Sequence, residues 1–153
     1  MPLTPHTHHT NLFSPNRTHS RPVTLTTRLR DNPRATLVVL GYALVVLVAS
    51  VVPTPPGGLT PSGPLGLVGL DKWVHGVGYA VLGFGLALAS RAQRGTEIGH
   101  VIVVASAYGA GIELVQATLP YRSFSIADAG ANVLGAVLGG LLWYISNRLQ
   151  TGR

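Results

Sequence analysis

The 153-residue chain contains no cysteine. Disulfides, thiolate zinc sites and thiol nucleophiles are thereby excluded, while the redox compartment stays open. Charge is scarce as well: 10% of residues are Asp, Glu, Lys or Arg, against 46% hydrophobic, and mean hydropathy is +0.36. So little charge does not suit an ordinary soluble domain of this length and points to a membrane protein. Acids are the rarest group, 5 against 11 Lys and Arg, which leaves a formal charge of +6 and a pI near 10.5. That balance raises nucleic acid as a partner, but the basic residues form no stripe interleaved with aromatics, so no nucleic acid is expected. Also missing are Gly-x-Ser-x-Gly, a phosphate loop, His-Glu-x-x-His and a dinucleotide fingerprint, and with them the familiar catalytic templates.

What is present falls into segments. Met1 to Thr27 carries Pro, Thr, Ser, Asn and His with no acid and no apolar periodicity, so residues 1–30 are expected to form a disordered leader. His6, His8 and His9 offer imidazole there, but a short tail without a second cluster reads as solvated rather than metal-binding. The Arg-bearing, acid-free leader resembles an organellar transit peptide, although its prolines oppose the amphipathic helix such a signal uses. Residues 31–148 then hold four apolar segments, at about 35–52, 74–90, 98–119 and 126–146, and 149–153 form a short tail. The fold class expected is all-α: a polytopic membrane protein with four transmembrane helices in a bundle. Pro53 to Leu70, with five prolines and five glycines, reads as turns and extended backbone.

Placing both termini and the Arg91–Glu97 loop in the cytoplasm puts nine of the eleven Lys and Arg residues inside, as the positive-inside rule requires. The reading is a multi-pass plasma-membrane protein. With that orientation, Asp71, Lys72, His75 and Tyr79 lie in the first outer turns of the second segment. Glu113 and Gln116 lie in the last outer turns of the third, Arg122 at the corner, and Asp128 and Asn132 in the first outer turns of the fourth. Spacings of three or four residues put each set on one helical face. Gly135 and Gly139 continue the fourth segment's stripe as Gly-x-x-x-Gly, which permits close helix approach and leaves a homo-oligomer open.

Structural explanations stand beside functional ones. Ser125-Ile-Ala-Asp128 matches a capping box, with Ser125 accepting from a backbone amide and Asp128 reaching back to the Ser125 N–H. Asp71 fits an N-cap, and Arg122 fits an ion pair with Glu113 or Asp128 that pins the corner. The functional readings, in order, are three. The cluster binds an anion such as a lipid head group, with Lys72 and Arg122 as donors. His75 with Glu113 or Asp128 does acid–base or hydrolytic work. One histidine and two or three carboxylates hold a divalent metal, a set without the paired-histidine spacing of strong zinc motifs. No metal and no cofactor is assigned. His75, Glu113 and Asp128 are the catalytic candidates, and Asp71, Lys72, Tyr79, Gln116, Arg122 and Asn132 the ligand-binding ones.

Together, Asp71-Lys72-x-x-His75-x-x-x-Tyr79, Tyr108-Gly109-x-x-x-Glu113-Leu-x-Gln116-x-x-x-Pro120-x-Arg122 and Ser125-x-x-Asp128-x-x-x-Asn132-x-x-Gly135 resemble the VanZ-like family of small integral membrane proteins, over roughly Ala35 to Ser146. The resemblance implies a helical membrane protein in a family whose namesake is associated with resistance to the glycopeptide teicoplanin. The function expected is an outward-facing polar pocket that binds, or binds and processes, an anionic or glycosylated envelope component. Its partner is then a membrane lipid or other envelope component. The alternatives are a structural membrane protein whose cluster locks the helices, and a membrane-embedded hydrolase or transferase acting on a lipid or polyprenyl carrier.

Overall fold

The structure is a computed structural model that describes residues 24–53, 63–66 and 68–152. Residues 1–23, with His6, His8 and His9, lie outside the described residues. Among the described residues there are five α-helices: α1 (Leu25–Arg30), α2 (Pro33–Val51), α3 (Leu70–Ala89), α4 (Gly95–Gln116) and α5 (Ile126–Thr151). A short 3-10 turn covers Pro64–Gly66, and no strand occurs among the described residues. The all-α expectation holds. Each long helix matches one predicted apolar segment, with ends shifted by a few residues.

One expectation is corrected at the leader's boundary. Residues 25–30 are helical, because Thr24 caps the turn and Leu25 and Leu29, four apart, each pack against one of the two clusters of the apolar core. Arg28 then reaches Glu97 Oε1 at 2.7 Å and the Arg91 carbonyl at 3.3 Å, which fastens α1 to the α3–α4 turn. That turn closes α3 by a Schellman arrangement: Arg91 takes φ 50°, its N–H donates to Leu88 O, and the Ala92 N–H donates to Ala87 O.

Successive long helices alternate in direction. At one end, the start of α2, the α3–α4 turn and the tail of α5 meet: Asn32 Nδ2 donates to Ala89 O (3.4 Å) and Trp143 Nε1 to Ala92 O (2.7 Å). At the other end, the tails of α2 and α4 meet the starts of α3 and α5. Among the described residues three helices, α2, α4 and α5, are long and apolar enough to cross a membrane. Their outward surfaces are hydrocarbon, with Leu37, Val38 and Leu44 on α2, Val103 and Leu114 on α4, and Leu134, Leu138 and Leu142 on α5 all exposed. Soluble monomers do not carry continuous apolar surfaces of this extent.

α3 is not among those three helices. It contains Asp71, Lys72, His75 and several glycines, and it touches α2, α4 and α5, so much of its surface meets protein rather than solvent. Its longest interface is with α5, where the two backbones come together on small residues. A methyl group at Gly135 would run into the Gly76 carbonyl, one at Gly139 into the Ala80 carbonyl, and one at Gly83 would stand 2.7 Å from the Ala136 carbonyl. Gly135-x-x-x-Gly139 therefore serves α3 of the same chain.

Candidate functional site

Where α3, α4 and α5 meet at the end opposite the arginine-rich one, their apolar faces are interrupted by acids, amides and one imidazole. Gly69, not Asp71, is the N-cap of α3, so Asp71 and Lys72 sit in its first turn, with His75 and Tyr79 following on the same face. Gly109 on α4 makes space for this group, since a methyl there would stand 2.9 Å from Tyr79 Cε1 and 3.1 Å from Asn132 Cβ and Nδ2.

Ser125 caps α5 as expected, accepting from the Asp128 N–H at 3.2 Å. The other half of the box is not made by Asp128. Glu113 of α4 takes that place, its Oε2 accepting the Ser125 N–H at 3.2 Å. An aspartate is a methylene shorter than the glutamate that normally closes this motif. Released from the cap, Asp128 instead forms an ion pair, its Oδ1 lying 2.7 Å from Lys72 Nζ. Lys72 also pairs with its neighbour Asp71.

One ring nitrogen of His75 and one carboxylate oxygen each from Glu113 and Asp128 all lie within 4.8 Å of one another. His75 Nδ1 is 3.0 Å from Asn132 Oδ1. In the tautomer that donates from Nδ1 to this amide oxygen, Nε2 is the ring nitrogen able to accept. Exposure falls steadily across the group: the side chain of Asp71 is 49% exposed, Lys72 29%, Asp128 17%, and Glu113 0%. The cluster is thus most exposed at Asp71 and most deeply buried at Glu113. Glu113 Oε1, Asn132 Nδ2 and the Tyr79 hydroxyl are buried with no hydrogen-bond partner among the described residues. Buried polar groups in that condition are costly, and each asks for an explanation.

The candidates divide into two groups. His75, Glu113, Asp128, Lys72, Asp71 and Asn132 converge, and Tyr79 packs beside them against Tyr108, ring centroids 6.5 Å apart. Gln116 and Arg122 make their contacts elsewhere. Gln116 Nε2 donates to Ser50 O (2.9 Å), Tyr121 Oη to Val51 O (2.8 Å) and Arg122 Nη2 to Val52 O (3.1 Å). These three donors satisfy successive carbonyls at the open end of α2, groups that a helix cannot satisfy itself. Arg122 pairs with neither Glu113 nor Asp128 among the described residues. Arg122→Ala is expected to cost about 1 kcal/mol, the usual size of one such tie in a membrane bundle, read as a lowered unfolding midpoint in detergent.

Reading the sequence alone did not single out Tyr42, Tyr108 or Tyr121 as contacts. Tyr42 Oη donates to Gly78 O (3.0 Å) and Tyr108 Oη to Ala43 O (2.6 Å), so α2 is tied to α3 and α4 near mid-length. Their partners are backbone carbonyls, which leave no trace in composition or spacing.

The VanZ/LLP1 family profile matches residues 22–147, from just before α1 to near the end of α5. The chain belongs to the VanZ/LLP1 family. The match takes in every residue of the cluster, and with the apolar helices it marks this VanZ/LLP1 chain as a membrane protein. No curated protein and no solved structure matches it.

Proposed function

We propose that this VanZ/LLP1 protein spans the plasma membrane four times with both termini in the cytoplasm, and that its cluster, at the outer end, binds and processes a polar head group of the cell envelope. The fourth span is α3, whose 20 residues are about 30 Å long, enough for the hydrocarbon layer. Support for the orientation comes from charge. Arg28, Arg30, Arg34, Arg91, Arg94 and Arg148 all fall at the end opposite the cluster, where the positive-inside rule places the cytoplasm.

The observation that carries the functional reading is Glu113, wholly buried and half-satisfied, within reach of His75 and Asp128. An imidazole with a free Nε2 beside carboxylates of graded burial suits proton transfer to and from a hydroxyl or a water. Simple anion capture suits the site less. Lys72 is shared between Asp71 and Asp128, and Arg122 is engaged on α2, so three carboxylates face one ammonium. The head group favoured is therefore recognised through hydroxyls, as in a glycosylated lipid or carrier, with any phosphate lying toward the more exposed Lys72.

The test compares wild type with His75→Ala. Both are purified from membranes, their bound lipids identified by mass spectrometry, and extracts incubated with each are searched for altered head groups. Wild type is expected to be enriched in one head-group class and to convert it, with conversion about 100-fold slower in the variant, the usual weight of a general base. Identical bulk lipids in identical proportions, with no conversion by either, would overturn the proposal. A second reading, a protein whose polar groups only hold helices together, is favoured by the Gln116, Tyr121 and Arg122 ties to α2. It requires that His75→Ala lose stability in step with any activity.

A further inference from the structure

We propose that His75, Glu113 and Asp128 form a binding site for one divalent first-row transition cation, of the manganese or zinc type. The inference deepens the reading of this cluster as the functional site, and rests on it for the ion's purpose but not for its binding; with the ion in place His75 is a ligand, and a water held by the ion takes over its part in proton transfer. Three observations carry it. The nitrogen and the two carboxylate oxygens already lie within 4.8 Å of one another. Ligands about 2.0–2.2 Å from an ion stand roughly 3–3.5 Å apart, so side-chain rotation of about an ångström closes the set. Glu113 is wholly buried, keeps Oε1 unpartnered, and has no cationic side chain paired with it among the described residues. A buried carboxylate without a cationic partner is costly, and a bound cation offsets that cost.

The third observation is Asn132. It is buried, and its Oδ1 lies 3.0 Å from His75 Nδ1, a contact that favours the tautomer in which Nε2 can bind an ion. Imidazoles that bind metals are typically held in this way by an acceptor on the far nitrogen. One nitrogen with two carboxylate oxygens favours a borderline ion over calcium or magnesium, which prefer oxygen throughout. The ligands come one each from α3, α4 and α5, so an ion would clamp three helices at once. Remaining coordination positions would face the Asp71 side, where exposure rises, and a water held there would have its pKa lowered toward neutrality. Lys72 is the competitor. Its ammonium stands 2.7 Å from Asp128 Oδ1 and must swing toward Asp71 when an ion enters.

The full chain, purified in detergent and stripped with chelator, is titrated with Mn2+ while the free-ion electron paramagnetic resonance signal is followed. One Mn2+ per chain is expected, displaced by Zn2+, which binds nitrogen and oxygen sets more tightly. Glu113→Gln and Asp128→Asn, which keep side-chain shape, are each expected to weaken Mn2+ by about 100-fold, and Asn132→Ala by about 10-fold or more. Lys72→Met is expected to tighten it several-fold by removing the competing ammonium, a gain that no merely structural role for the cluster gives. Unaltered Mn2+ binding in folded Glu113→Gln and Asp128→Asn proteins would overturn the site. Failure of Mn2+ and Zn2+ to bind wild type would overturn it outright. Head-group selectivity that persists in such a wild type leaves the functional proposal standing without the metal.

Discussion

Gly139→Ala is expected to be the most destabilising glycine-to-alanine change among the described residues. The new Cβ would be driven into the Ala80 carbonyl oxygen, with Ala80 C at 2.8 Å and Phe84 N at 2.9 Å. Every one of those atoms is α3 backbone, so no side chain can rotate away and relief requires the two helices to part. Overpacking a well-filled interior costs about 1–3 kcal/mol, and this case sits at or above the upper end because the α3–α5 contact is the longest in the fold. A loss of that size is a large share of the roughly 5–15 kcal/mol that holds a domain together. Parting α3 from α5 also pulls His75 from Asn132, so activity falls with the fold. Gly135→Ala, aimed at the Gly76 carbonyl, behaves alike. Gly99→Ala and Gly111→Ala are the controls: nothing stands within 4 Å of either added methyl, and alanine favours a helix by about 1 kcal/mol. Thermal unfolding in detergent reads all four. Equal midpoints for Gly139→Ala and Gly99→Ala would refute the close backbone packing.

Glu113→Gln is expected to move stability and function in opposite directions. The amide oxygen can still accept the Ser125 N–H that caps α5, so that contact at 3.2 Å survives. What disappears is a buried carboxyl with no cationic partner among the described residues. Measured on chelator-treated protein, the variant is expected to be more stable by about 1 kcal/mol, the usual return on relieving one strained functional group. Head-group conversion is expected to fall at least about 100-fold, as when an acid–base partner is removed. A glutamate kept only to stitch α4 to α5 gives a different result, with stability and activity unchanged or lowered together. The pair of measurements, unfolding midpoint and conversion rate, separates the two accounts without any ligand being known in advance.

The cluster was legible in the sequence because position along a helix is legible. His75 and Tyr79 are one turn apart on α3, as are Asp128 and Asn132 on α5. Alternating helix direction then places both starts beside the Glu113 end of α4. Depth follows from counting residues, and so does the sharing of a face. Which neighbour a face meets does not follow. Arg122 and Gln116 have the right depth and the right chemistry for the cluster, yet they turn to Val52 and Ser50 at the end of α2. A backbone carbonyl is the same acceptor whatever residue carries it, so nothing in the letters at 50–52 announces it. Asp128 is a similar case. Its spacing from Ser125 fits a self-contained cap, and only the arrival of Glu113 from another helix frees it for Lys72. The short α1 escaped notice because a Thr- and Arg-rich stretch carries little apolar signal. Its helix depends on Leu25 and Leu29 finding a core built by residues far along the chain.

By itself, then, the sequence determined the class of the protein, the order and approximate ends of its long helices, and the gathering of its rare polar residues toward one end. Those properties depend on hydropathy and on a fixed rise per residue, both of which are local. The tertiary structure alone decided that Gly135 and Gly139 lie against α3, that Glu113 shares its carboxylate between the α5 cap and the cluster, and that Arg122 serves α2. Each of those depends on the rotation of one helix about its axis relative to its neighbours. That rotation is set by how side chains and bare glycine backbone fit together across an interface.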